Sequence, residues 1–268
     1  MILYFTGTGN SYQLARVVAD ETGDQLLSLN DRLREHDTSA IRSDRPLVFV
    51  TPIYCGRIPR VVEEHIRATE FLGTAEVYFV ATCFQTPYKA RHYVERLCAD
   101  KGWTLKGFDA VPMPQNYVVM YETPTPEQAK AAIEAAVPTM HAFGRSIRDG
   151  KALDGGKKGS GMMSDVINPV FYKTTINAKG FRTTDACVGC GTCARACPLD
   201  NIRMVDSRPV WGGSCTHCMA CIDGCPSKAI EFKYGDKIAP RAGFAWDLKG
   251  DQSRKVYGSY GTYYDVTK

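Results

Sequence analysis

The sequence predicts an α/β chain: a doubly wound parallel sheet followed by a second, smaller domain rich in cysteine. Three observations carry that expectation. Strand-length apolar runs alternate with helical patterns over the first 150 residues. A loop of glycines, hydroxyls and an amide ("TGTGNS", 6–11) follows the first apolar run. Eight of the eleven cysteines fall between Cys187 and Cys225, in two runs of identical spacing.

Taken in order, Ile2–Phe5 reads as a short strand. The stretch from Ser11 to Glu21 reads as a helix with Leu14, Val17 and Val18 inward and Ser11 as N-cap. A short strand is expected near Leu26–Leu29. "PLVFVT" (46–51) is expected as a buried strand, with Pro59 opening a helix through Val61, Val62 and Ile66. "EVYFVAT" (76–82) is the next strand, then an amphipathic helix over 88–102 stopped by Gly102. A weaker strand over 104–113 precedes one long helix from Pro126 to about Asp149.

Four segments follow: 1–150 as the α/β domain, 151–180 as linker and connecting segment, 181–233 as the cysteine domain, and 234–268 as a tail without assigned role. "KALDGGKKGSG" (151–161) reads as a linker that would let the second domain swing. In the connecting segment, Met162, Val166, Val170 and Phe171 have helical spacing, with Pro169 breaking or restarting the helix. Packing between domains suits it better than lying on a membrane, since its polar face is not strongly basic.

Composition bounds the function. Apolar residues make up 44% and charged residues 23%, the profile of a globular protein with a real core. No run approaches the ~20 residues that span a bilayer, and no signal-peptide pattern opens the chain. A cytoplasmic protein is expected, so clustered cysteines point to metal rather than disulfides. The formal charge of +4 comes without a basic stripe interleaved with aromatics, which argues against nucleic acid. Metal bound by clustered thiolates would lower that charge.

The cysteine runs are Cys187-x2-Cys190-x2-Cys193-x3-Cys197-Pro198 and Cys215-x2-Cys218-x2-Cys221-x3-Cys225-Pro226. Structural zinc usually pairs two cysteines with a distant second pair; triplets ending in Cys-Pro, twice, favour [4Fe–4S] clusters. The region resembles bacterial two-cluster ferredoxins, whose fourth cysteine ligates the other cluster. The resemblance implies Cys187, Cys190, Cys193 and Cys225 on cluster I. It implies Cys215, Cys218, Cys221 and Cys197 on cluster II. His217 is expected to tune its cluster rather than ligate it.

The glycine loop lacks the third glycine of a dinucleotide fingerprint and the Gly-Lys of a P-loop. Thr6, Gly7, Thr8, Gly9, Asn10 and Ser11 make instead a nest of N–H, O–H and amide donors for a terminal monophosphate. "TGTGNS" after strand one resembles the FMN-phosphate loop of the flavodoxin family, over about residues 1–150. The resemblance implies a flavodoxin-like sheet with FMN at the switch between its first and third strands. It places the ring between two loops, "TPIYCGRIP" (51–59) and "ATCFQTPYKA" (81–90). Pro52, Tyr54, Cys55, Gly56 and Arg57 come from the first; Thr82, Cys83, Phe84 and Tyr88 come from the second. Tyr54 is the expected stacking residue, then Phe84 and Tyr88, with Tyr117 closing over the site. Arg57 either raises the flavin potential or meets solvent or a partner. Cys55 and Cys83 are either redox partners of the ring or packing residues, and Cys98 reads as core.

A flavodoxin-like domain followed by an α+β two-cluster ferredoxin domain resembles the flavodoxin–ferredoxin fusion proteins of anaerobic bacteria, over about 1–233. That implies electron transfer between two [4Fe–4S] clusters and FMN, with redox partner proteins. The alternative is an FMN-dependent reductase of a quinone, nitro compound or porphyrinogen-like acceptor.

Overall fold

In the computed structural model, residues 1–155, 161–233, 244–247 and 255–258 are described. The chain divides into two compact units, residues 1–231 and 232–268. The first begins with β1 (Ile2–Tyr4), α1 (Asn10–Thr22), β2 (Leu26–Ser28), α2 (Leu29–Arg34), β3 (Ile41–Ser43) and β4 (Leu47–Pro52). It continues with α3 (Arg60–Ala68), β5 (Phe71–Gly73), β6 (Glu76–Cys83), α4 (Ala90–Lys101), β7 (Thr104–Pro112), α5 (Pro126–Arg148) and β8 (Leu153–Asp154).

Six of these strands form one parallel sheet in the order β2-β1-β4-β6-β7-β8. The chain runs outward from β1 to β2, then crosses to β4 on the other side of β1. That reversal opens a crevice beyond the carboxyl ends of β1 and β4, where α/β sheets bind ligands. β4 is buried along its whole length, as its unbroken apolar run demands of a central parallel strand. One face packs around Phe49, stacked 4.7 Å from Phe79 and 5.6 Å from Trp103. The other packs α1 and α5 through Leu14, Val18, Met140 and Phe143. Each such side chain contributes about 1.5–3 kcal/mol by leaving water.

Several local expectations change. Ser11 is not the N-cap: Gly9 takes that position at φ 104°, and Ser11 sits inside the first turn with its hydroxyl in the core. Pro59 is the N-cap of α3, not its first residue. Leu153–Asp154, expected as linker, adds an edge strand beside β7. The pair β3–β5 was not foreseen and forms its own small parallel sheet. Of the expected linker, residues 156–160 lie outside the described residues.

Beyond β8 come a π-helical turn, Met162–Ile167, and α6 (Asn168–Thr174). Pro169 falls at the start of α6, where its missing N–H costs least. The apolar spacing read for this segment does not mark a buried face: Met162, Val166 and Val170 are 64%, 60% and 59% exposed. The wider π turn shifts the inward face, so the fully buried positions are the polar Ser164 and Asn168. Then follow β9 (Phe181–Thr183), α7 (Thr192–Ala196), β10 (Ile202–Val205), β11 (Arg208–Trp211), α8 (Ala220–Asp223) and β12 (Ile230–Phe232). β10 pairs antiparallel with β11, and β12 pairs with β9. In the second unit, β13 (Phe244–Asp247) and β14 (Lys255–Gly258) form an antiparallel pair; the rest of the expected tail is outside the described residues. No described helix is long and apolar enough to cross a membrane.

Candidate functional site

The loop after β1 is stitched in place by its neighbours. Thr6 N donates to Asn30 Oδ1 at 2.9 Å, and Asn30 Nδ2 returns a bond to Thr6 O at 2.7 Å. Gly9 N donates to Thr6 Oγ1, Asn10 Nδ2 to the Pro114 carbonyl at 3.0 Å, and Asn116 Nδ2 to Thr8 Oγ1. Ser11 Oγ meets Thr82 Oγ1 at 2.8 Å inside the core. α1 has no side-chain N-cap bond and no acidic residue in its first turn. Its N-terminal N–H groups and dipole therefore face the loop unopposed, which suits a phosphate dianion.

After β4 the chain makes a tight turn. Tyr54 and Arg57 exchange both backbone hydrogen bonds, at 2.8 and 3.2 Å. Cys55 and Gly56 between them adopt left-handed conformations, φ 49° and 79°. A cavity of about 300 Å³ lies between this turn, the phosphate loop and the loops after β6 and β7. Thr6, Gly7, Thr8, Asn10 and Ser11 line one part; Pro52, Tyr54, Cys55 and Gly56 another; Thr82, Cys83, Phe84, Tyr88 and Tyr117 a third. Among the described residues, no Lys, Arg, Asp or Glu lines it. A cavity of this size, with donors on one side and apolar and aromatic walls on the other, fits FMN.

Two expected residues fall outside the lining. Gly9 supplies the turn into α1 instead. Arg57 is turned away: its guanidinium pairs with Glu63 at 3.1 Å and lies 3.7 Å over the Tyr93 ring. Phe84, 53% exposed, stands at the mouth beside Tyr121, their rings 6.1 Å apart. Burial pushes the Cys83 and Cys98 thiols up to about 12 and raises Cys55 as well, so none is a ready thiolate.

The remaining walls come from outside the flavodoxin-like loops. Met163, Ile167, Phe171, Tyr172 and Ile176 of the connecting segment line the cavity, as do Thr216, His217, Cys218 and Met219. The backbone of Cys218 comes so close to the phosphate loop that a Cβ on Gly7 would collide with its carbonyl oxygen. Gly7 is thus required by this approach, with φ playing no part. The buried Tyr54 phenol sits beside the same cysteine and is raised well above its ordinary pKa, by desolvation first and Cys218 second.

The same stretch, Thr216 to Met219, also lines a second cavity with Cys197, Cys215 and Cys221. A third cavity is lined by Cys187, Cys190, Cys193 and Cys225. In each, four cysteines surround an apolar space, and backbone N–H groups approach the sulfurs. Asn201 N is 3.4 Å from Cys197 Sγ, His217 N 3.4 Å from Cys215 Sγ, and Ala229 N 3.3 Å from Cys225 Sγ. Thiolate sulfurs around an apolar hollow suit an iron–sulfur cubane, and such N–H groups stabilise its negative charge. His217 is buried and its pKa lowered by desolvation. Tyr117 Oη is 2.9 Å from His217 Nδ1, while Nε2 is 2.6 Å from the Asn177 carbonyl. A neutral imidazole with its proton on Nε2 satisfies both, and its nitrogens are occupied away from the cysteines.

Comparisons with known proteins agree with both halves. A flavodoxin domain model matches residues 1–112, and a 4Fe-4S dicluster domain model matches residues 186–230. A ferredoxin of Methanothermococcus thermolithotrophicus is 38% identical over 53 residues, 18% of this chain and 88% of that protein. The two-electron reduced flavodoxin of Megasphaera elsdenii is 18% identical, covering 51% of this chain and 97% of its own, at a TM-score of 0.32. The Trp repressor binding protein of Bacillus subtilis is 14% identical, covering 53% and 96%, at a TM-score of 0.33. The chain therefore belongs to the flavodoxin–ferredoxin fusions, a flavodoxin domain followed by a 4Fe–4S ferredoxin domain, a pairing that supports electron transfer with FMN and iron–sulfur centres.

Proposed function

We propose that the chain is a redox relay that joins two [4Fe–4S] clusters and one FMN in series, taking electrons from one partner protein and giving them to another. The observation that carries this reading is the shared wall: Thr216, His217, Cys218 and Met219 line the flavin cavity and one cysteine cavity at once. In this reading Cys215, Cys218, Cys221 and Cys197 hold cluster II beside the flavin. Cys187, Cys190, Cys193 and Cys225 hold cluster I, with Cys190 exposed and Val188 72% exposed where a partner can reach it. When bound, the clusters supply one-electron steps and FMN supplies one- or two-electron steps.

The chain's own residues do the positioning. The phosphate loop and the α1 N-terminus hold the anionic end, and Tyr54 and Tyr117 bound the aromatic region. Arg34 Nε donates to the Cys197 carbonyl at 3.2 Å, tying α2 to the cysteine domain. Such ties, with the Gly7–Cys218 contact, support a docked relay over a swinging one. Among the described residues the lining holds polar amides, hydroxyls and His217 but no carboxylate or ammonium, which fits a relay better than a reductase.

The exposed Phe84, Met120 and Tyr121 at the mouth favour a second reading, reduction of a flat apolar acceptor there. Anaerobic reconstitution followed by redox titration tests the first. It should return about eight irons and one FMN per chain. Zinc in place of iron, or no retained flavin, would refute it. Quinone turnover well above that of free FMN would select the reductase.

A further inference from the structure

Two adjacent buried hydroxyls on the walls of the flavin cavity make no hydrogen bond of normal geometry among the described residues. Thr216 is 3% exposed, and its Oγ1 makes no hydrogen bond among the described residues. Tyr172 Oη lies beside it and likewise has no well-formed bond. Both residues line the cavity. The large majority of buried side-chain polar groups in native proteins are hydrogen-bonded, and leaving one unpaired is destabilising. A ligand with acceptor atoms in that cavity would satisfy both.

Neither residue belongs to the flavodoxin match, which ends at residue 112. Tyr172 is in α6, and Thr216 lies inside the second cysteine run. We propose that Thr216 and Tyr172 donate hydrogen bonds to heteroatoms of the bound FMN, so that the flavin site is composite and is completed by the connecting segment and the ferredoxin domain. This rests on the reading of the cavity as the FMN site.

The way the connecting segment is held supports the proposal. Ser164 and Asn168, both 0% exposed, face the turn after β4. Ser164 Oγ donates to the Gly56 carbonyl at 2.9 Å and accepts from Lys89 N at 3.1 Å. Asn168 Nδ2 donates to the carbonyls of Tyr54 and Cys55, at 3.2 and 3.1 Å, while its Oδ1 accepts from Arg60 at 3.0 Å. Three successive carbonyls of a left-handed turn are thus claimed by two side chains of the segment. Arg60 also lies 4.4 Å over the Tyr172 ring. Ser164, Asn168 and Arg60 are positioning residues: they fix where Tyr172 stands relative to the flavin loop.

The test uses the full chain, reconstituted without oxygen, in Thr216→Val, Tyr172→Phe and Thr216→Ser forms. FMN dissociation constants and flavin midpoint potentials are measured beside iron content. Thr216→Val and Tyr172→Phe should each weaken FMN binding by about three- to tenfold, the worth of one hydrogen bond, and shift the flavin potential. Thr216→Ser should restore both. FMN affinity within twofold of wild type and an unchanged potential in both hydroxyl-less variants would overturn the proposal while leaving the FMN reading intact. Failure of the wild type to hold FMN would overturn both. Should Thr216→Val lose iron, Tyr172→Phe decides alone, since it lies outside the cysteine run.

Discussion

The two cysteine runs have the same spacing and different surroundings. Cys190 and Cys218 are equivalent positions, the second cysteine of each run. Cys190 is exposed, and the Thr192 hydroxyl beside it lowers its pKa. Cys218 is packed against Tyr54 and the core of the flavodoxin sheet, and burial raises its thiol far above the ordinary value. The next cysteine of that run, Cys221, is pushed up to about 12 by the same cause. A repeated motif therefore dictates which side chains gather, while docking decides what each gathering faces. One cysteine cavity faces outward and the other faces the flavin cavity, and a relay needs that asymmetry.

Serine substitutions at the equivalent cysteines probe it with the largest expected effect. Cys190→Ser and Cys218→Ser should each lower iron from about eight to about four per chain. Only Cys218→Ser should also disturb FMN, seen as weaker binding or a shifted flavin potential. Equal effects on the flavin would break the asymmetry.

Next comes Gly7→Ala. Its Cβ would meet the Cys218 carbonyl, so the phosphate loop and the ferredoxin domain cannot both keep their places. An overpacked contact of this kind costs about 1–3 kcal/mol. FMN affinity should fall at least tenfold, and denaturant titration should report the lost stability. Arg34→Ala is milder. It removes one hydrogen bond to the Cys197 carbonyl and should cost about 1 kcal/mol, with a detectable change in the cluster beside the flavin and none in the other.

The smallest effect serves as a control at a residue that lines none of the three cavities. His65 is 6% exposed, and its pKa is lowered by desolvation first and by Arg32 second. The unfolded chain binds the proton more readily, so stability is complete above the ordinary histidine pKa and declines as pH falls below about 6.5. His65→Gln should flatten that slope in urea melts from pH 7 to pH 5 and leave cofactor content unchanged.

Much of the sheet was legible because its strands announce themselves. Unbroken runs such as "PLVFVT" have nowhere to go but a buried parallel strand, and Gly102 and Gly150 mark helix ends. β3, β5 and β8 escaped because their sequences (IRS, FLG and LD) mix charged, polar or glycine residues and lack the apolar run that marks the equally short β1. The phosphate loop and the loops after β4 and β6 could be named from their places after strands. Arg57 could not, since its partners Glu63 and Tyr93 lie on two separate helices. The connecting segment misled for a definite reason: a π turn displaces the inward face, hiding Ser164 and Asn168 and exposing Val166 and Val170. The local spacing around Thr216, Tyr172 and Asn116 does not tell that they face the cavity. They reach the cavity only through tertiary docking, which leaves no mark on local spacing.

The central claim is that the cluster held by Cys215, Cys218, Cys221 and Cys197 shares a wall with the flavin. It is tested most directly by recording the spin-resonance signals of the reduced clusters before and after FMN is removed. Cys190→Ser and Cys218→Ser identify which signal belongs to which run. Removal of FMN is expected to alter the signal that Cys218→Ser abolishes and to leave the other unchanged. A change confined to the signal that Cys190→Ser abolishes, or no change in either, would contradict the account.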